Sequence, residues 1–208
     1  MCMLLLTSAR CFADTPHPWL DSELKKQRFK CPPGNSPFKG PADAQVKIVE
    51  FVDYDCPYCA QEDATMKKVL AAYPTQVKWV IKNLPLDMHP NAKKKAVVAE
   101  CMASQGKFWQ AHERLLAQAP AKKVREGVDQ KKLNSDIAQG GDGQVAKDLA
   151  LAKNLGLVTT PAFVVDGIRQ AGTIGFGQFK LLVDAELARK AAAAQGGNKE
   201  APAEAEAK

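Results

Sequence analysis

Along residues 46–52 nearly every position is apolar: Val46, Ile48, Val49, Phe51 and Val52 make a β-rich run of the length of a buried strand. Residues 77–84, VKWVIKNL, read as a second strand. Between them Cys59, Met66, Val69 and Leu70 fall mainly on one helical face, and Pro57 suits a first helical turn, where its missing N–H is no loss. Strand, helix, strand in that order predicts a right-handed crossover and a parallel pair.

From residue 89 to about 157 the pattern turns helical. Pro90 opens a helix through Ala96, Val97, Ala99, Cys101 and Met102 to Gly106; Phe108, Trp109, His112, Leu115 and Leu116 form a second amphipathic set. Residues 123–137 and 144–155 predict two more helices, separated by Gly140, Gly141 and Gly143. Strand chemistry returns in residues 157–167, LVTTPAFVVDG, and residues 169–174 can pair with it across the Asp166-Gly167 turn. A closing amphipathic helix is expected over 176–190, with Phe179, Leu182, Val183 and Leu187 buried. Residues 14–39, rich in proline and polar groups, read as a surface arm with a short helix over 22–30. The unpatterned residues 193–208 read as a disordered tail.

At 208 residues, 46% hydrophobic and 25% charged, the chain can bury a sizeable core and has the composition of a soluble globular protein. Its net charge of +6 comes from dispersed lysines without an aromatic-interleaved stripe, which argues for solvated helix faces and against nucleic-acid binding. Residues 1–13, MCMLLLTSARCFA, read as a secretory signal ending at Ala13, although the apolar run is short and no Lys or Arg precedes it. That pattern suggests a truncated or misassigned start. Cleavage there leaves Cys31, Cys56, Cys59 and Cys101, an even count that fits an oxidising compartment.

The candidate chemistry lies where the first strand meets its helix. Cys56 and Cys59 sit at the helix N-terminus, so a thiolate on Cys56 faces unpaired N–H groups and the positive end of the helix dipole. The C-x-x-C spacing lets Cys59 attack a mixed disulfide at Cys56 and release the partner. A structural zinc site would need two more ligands at metal spacing, which the sequence lacks. A purely structural disulfide would close too short a loop to constrain much unfolded chain. Glu50, six residues before Cys56, is costly in a buried strand unless paired or protonated, and Lys82 in the neighbouring strand is its expected charge partner. The alternative is a Glu50 that points to solvent. Asp53 and Asp55 read as turn residues without a role, His89 as a loop residue and His112 as a core histidine. Cys31 and Cys101 lie outside the site and would bridge only if the fold brought them within reach.

VKIVEFVDYDCPYC resembles the active-site strand and helix of the thioredoxin superfamily, and specifically of the DsbA-like thiol:disulfide oxidoreductases. SPFKGPADAQ resembles that family's lead-in to its first strand, and QGKFWQAHERLL the characteristic helix of its insertion; the likeness runs to about Lys190. The resemblance implies an α/β thioredoxin fold, a central mixed sheet flanked by helices, with an all-helical insertion. The parts would be a signal (1–13), an arm (14–39), a first half (40–88), the insertion (89–156), a second half (157–192) and the tail (193–208). It implies Cys56 as the exposed nucleophile, Cys59 as the buried resolving thiol and Glu50 as the acid that takes and returns the Cys59 proton. Thr160-Pro161 would form a cis bond beside the cysteines and, with Pro57 and Tyr58, meet the substrate by strand addition. No metal or organic cofactor is implied. The expected partners are cysteine-containing secreted proteins and a membrane redox protein for reoxidation, the expected location the periplasm, and a monomer is favoured. Two rivals stand: an isomerase or reductase of the DsbC or DsbG type, for whose dimerisation domain residues 14–39 are too few, and a non-enzymatic chaperone using the helical insertion.

Overall fold

The apolar run over residues 46–52 becomes the central strand of a five-stranded sheet. In the computed structural model, which describes residues 17–196, β1 (Phe38–Lys39), β2 (Val46–Val52), β3 (Val77–Asn83), β4 (Ala162–Val165) and β5 (Ile168–Ala171) lie in the order β1-β3-β2-β4-β5. β2 and β3 are parallel and are joined through α2 (Pro57–Ala72); the other pairings are antiparallel. The sheet is therefore mixed, with helices on both faces, as the resemblance implies.

Alternation along the strands divides the core in two. Ile48, Val52, Trp79, Ile81 and Phe163 pack with Met66 and Val69 of α2 and with Phe179, Leu182 and Val183 of α8 (Phe176–Gly196). Val49, Phe51, Val80 and Val164 face the other way, onto Ala152 of α7 (Gly143–Asn154), Leu155 and Cys31. The remaining insertion helices are α3 (Ala92–Ala103), α4 (Phe108–Leu116), α5 (Ala121–Val124) and α6 (Gln130–Ala138). Trp109 of α4 reaches Trp79 of β3, with ring centroids 5.2 Å apart, and so ties the insertion to the same face as α2.

Several expectations are corrected. The arm's helix is α1 (Pro18–Leu24), not residues 22–30, and the chain after it has no regular structure and passes the turn between β4 and β5. There Phe29 N donates to Gly167 O at 2.9 Å, and Arg28 grips the buried Glu186 carboxylate through both guanidinium nitrogens, at 2.5 and 3.0 Å. The single helix expected over 123–137 is split, because Gly127 takes a left-handed φ of 78° and Asp129 caps a new helix by accepting from Lys131 N and Lys132 N. The final helix runs to Gly196, past the expected start of the tail at residue 193, because the alanine run after Lys190 is the strongest of helix formers. The expected signal over 1–13 and the end of the tail over 197–208 lie outside the described residues. Cys31 and Cys101 are both free thiols and belong to the two separate core clusters, so they do not bridge.

Candidate active site

Cys56 caps α2 in extended backbone conformation (φ −79°, ψ 119°), and Pro57 follows as the first helical residue. No side chain caps this helix end, so the first-turn N–H groups are directed at whatever occupies the cap position. Cys59 stands one turn on, its amide donating to Cys56 O at 3.2 Å, and both residues are thiols here. Cys56, the expected nucleophile, is less open than the resemblance implies. Cys56 is only 5% exposed, because its Sγ is covered by the chain at Thr160, donating to the Thr160 carbonyl at 3.3 Å. Cys59 has no exposure at all, so Cys56 is still the member of the pair that a partner reaches first. The Thr160–Pro161 bond is cis, and Tyr58 between the cysteines is 59% exposed.

Burial pushes the Cys59 thiol far above its ordinary range; the Asp53 amide, donating to Cys59 Sγ at 3.4 Å, opposes this, and the negative charge of Glu50 adds to it. Glu50 is buried in β2, and desolvation raises its carboxyl to about 8 against the pull of one hydrogen bond, from Trp79 Nε1 at 2.8 Å. A carboxyl poised there can take and return a proton near neutral pH. The alternative of a solvent-facing Glu50 is thereby overturned.

Lys82 is not the partner of Glu50. In the parallel register Glu50 lies beside Ile81, and Lys82 beside Phe51 on the opposite face, so alternation carries the two charges to different sides of the sheet. The Lys82 ammonium instead bonds Asp148 of α7 at 3.1 Å and Ser36 at 3.0 Å. The residue that does meet Glu50 is Trp79, whose strand neighbour is Ile48 and which therefore shares its face. Strand parity could have found it, given the register.

Two further side chains make contacts that sequence reasoning did not foresee. Asp53 is buried, and its carboxylate accepts from Leu86 N and His89 Nδ1, each at 2.8 Å, and from Asp55 N at 2.7 Å. His112 is a core histidine as expected, bonded on one side only: Nδ1 lies 3.2 Å from Tyr54 Oη, Nε2 stands 3.4 Å from Asp63 Oδ1 without a hydrogen bond between them, and burial holds the ring below its usual pKa. Among the described residues no three His, Cys, Asp or Glu side chains are grouped to hold a metal ion.

The family model described as thioredoxin matches residues 33–185 of the chain. Among solved structures, a thioredoxin-like oxidoreductase from Silicibacter pomeroyi is 30% identical, with a TM-score of 0.68 over 76% of this chain and 94% of that one. Pseudomonas aeruginosa DsbA2 is 25% identical, with a TM-score of 0.61 over 75% of this chain and 94% of that one. Among curated proteins, the Na(+)/H(+) antiporter NhaA 3 of Salinispora tropica is 36% identical over 150 residues. That match covers 67% of this chain and 23% of the antiporter, so the chain spans less than a quarter of the length of that relative.

Proposed function

Starting from the fact that the chain belongs to the thioredoxin family, among the DsbA-like thiol:disulfide oxidoreductases, we propose that it passes a Cys56–Cys59 disulfide to secreted proteins. The observation that carries this reading is the juxtaposition of Cys56 Sγ with Thr160 O, 3.3 Å apart, above a Cys59 that is wholly buried. A client thiolate attacks Cys56 Sγ, the bond to Cys59 breaks, and Cys59 leaves as a thiolate, which Glu50 can protonate. A second client thiolate then attacks the client sulfur of the mixed disulfide and expels Cys56. Two client thiols are oxidised to a disulfide, and the enzyme is left as the dithiol. Residues 158–161 offer a backbone edge on which an extended client segment can pair.

Exposed apolar side chains stand next in sequence to residues of the site. Tyr58, Met88 and Val158 are 59%, 77% and 78% exposed; Tyr58 separates the cysteines, Val158 leads into Thr160, and Met88 adjoins the His89 that bonds Asp53. Such a surface suits unfolded chains, whose apolar residues are not yet buried. The periplasmic location rests on the signal-like residues 1–13, and reoxidation by a membrane redox partner rests on the family resemblance.

The test is covalent trapping. Cys59→Ser should accumulate mixed disulfides with client proteins on non-reducing gels, and Cys56→Ser should not. The reverse pattern would exchange the two roles. Wild-type protein should oxidise reduced, unfolded ribonuclease faster than it reshuffles scrambled ribonuclease; the opposite order would replace the oxidase by an isomerase. Client refolding that survives Cys56→Ser would point to a chaperone.

A further inference from the structure

We propose that Asp53 is a positioning residue for Cys59: its buried carboxylate, clamped by the loop after β3, holds in place the backbone amide that receives the Cys59 sulfur as a thiolate. The inference rests on the exchange reaction above.

Asp53 touches the redox centre through both of its backbone polar groups. Its carbonyl accepts from Cys56 N at 3.1 Å, and its amide donates to Cys59 Sγ at 3.4 Å. Its carboxylate turns away from the sulfurs. Oδ2 accepts from Leu86 N and meets His89 Nδ1, each at 2.8 Å, and Oδ1 accepts from Asp55 N at 2.7 Å. A carboxylate with no exposed side-chain surface is costly unless its oxygens are bonded, and three contacts over two oxygens meet that cost. A solvated turn residue would need none of this. The contacts pin the chain on both sides: Asp55 fixes the turn into Cys56, while Leu86 and His89 fix the carboxylate to a segment 33 and 36 residues away. With its side chain so held, the Asp53 amide has one direction, toward Cys59.

The amide matters because of when Cys59 bears charge. It does so in both directions of the exchange: as the leaving group when a client thiolate attacks Cys56, and, in the reverse step, as the nucleophile when it attacks the Cys56 sulfur of a mixed disulfide, reforms the Cys56–Cys59 bond and expels the partner as a thiolate. Burial makes that thiolate the expensive species of the cycle, and the Asp53 amide is the group that opposes this. Attack by Cys56 places its charge at the helix end and needs no help from Asp53.

Dithiobis(nitrobenzoate) separates the two steps with the full-length dithiol protein. The first coloured thiolate released reports attack by Cys56 and depends on reagent concentration; the second reports resolution by Cys59 and does not. Asp53→Ala should leave the first rate within about twofold and slow the second about tenfold, on the scale of one hydrogen bond to a charged group. Asp53→Asn, whose one amide oxygen can still accept from either the Leu86 or the Asp55 amide, should recover part of the loss. Should Asp53→Ala fail to fold, His89→Ala, at a partly exposed position, should slow the second release alone and by less. The proposal is overturned if both releases fall together, if neither changes, or if Asp53→Asn is as slow as Asp53→Ala. A wild-type protein that resolves the mixed disulfide but cannot oxidise a reduced client would instead sink the functional reading and leave this one standing.

Discussion

Glu50 shows how one buried side chain couples chemistry to stability. Desolvation lifts its carboxyl from an unfolded value of 4.5 to about 8, so between those values the folded protein holds a proton that the unfolded chain has released. The sign follows. Stability from this group is full below about 4.5 and falls as pH rises toward 8, because the fold must then either keep the proton or bury a charge. Burial raises Glu62 and Glu100 to about 7, which adds to the fall in the same direction. Glu50→Gln keeps an acceptor for Trp79 Nε1 and never ionises. It should match wild type in acid and exceed it by a few kcal/mol at about pH 9, since each tenfold change in proton affinity is worth about 1.4 kcal/mol. Denaturant titrations across that range test this; parallel curves for the two proteins would mean that Glu50 is already ionised in the fold. Disulfide exchange by the variant should slow most near neutral pH, where the carboxyl of wild type is poised to move a proton.

At the scale of the element, β3 serves two faces with different purposes. Trp79 turns toward Glu50 and the cysteines, while Lys82 turns to Asp148 and locks α7 onto the far side of the sheet, where Asp148 also accepts from Asn83 N at 2.9 Å. Breaking a buried pair strands the remaining charge, so Lys82→Ala should cost about 3–5 kcal/mol, whereas Lys82→Met combined with Asp148→Asn, which removes both charges and keeps an acceptor for Asn83 N, should cost less. Thermal melts measure both. Exchange kinetics of the double variant should stay at the wild-type rate, because the pair lies across the sheet from Cys59; a changed rate would place Lys82 back in the site. The parallel strand pair, its crossover helix and the two thiols at its N-terminus were legible in the sequence because each is written in local periodicity and spacing, whereas the short edge strand β1 was read as part of the arm. Register was not legible, since it depends on which residue of β3 stands beside Glu50, and without it parity cannot be counted. Asp53 was misread for a similar reason. An acid ending an apolar strand looks like a turn residue until the loop bearing Leu86 and His89 returns to bury it. The cover over Cys56 comes from Thr160, 104 residues away, and no local pattern announces it.

For the whole molecule, the two redox forms should differ in stability, and the sign of that difference sets the direction of electron flow. In the dithiol form the Cys56 sulfur stands at the N-terminus of the 16-residue helix α2, whose first-turn N–H groups no side chain caps, and the positive end of the helix dipole favours any negative charge it carries. Closing the disulfide leaves no sulfur there to carry one. In return it joins residues three apart, a loop too short to restrict the unfolded chain by much. The balance favours the folded dithiol, and by linkage whatever stabilises the reduced fold makes the disulfide a stronger oxidant, about 30 mV for every 1.4 kcal/mol. The reduced protein should therefore melt higher than the oxidised protein near neutral pH, by about 2–4 °C for each kcal/mol in a chain of this size. Calorimetry on both forms, paired with a redox titration against glutathione, measures the stability gap and the potential independently, and the two should agree through that conversion. Cys31 and Cys101 are free thiols in separate parts of the core, so changing both to Ser should leave the gap intact. If the oxidised form melts higher, the Cys56–Cys59 disulfide is the stable state, electrons run from this protein to its clients, and the oxidase reading gives way to a reductase.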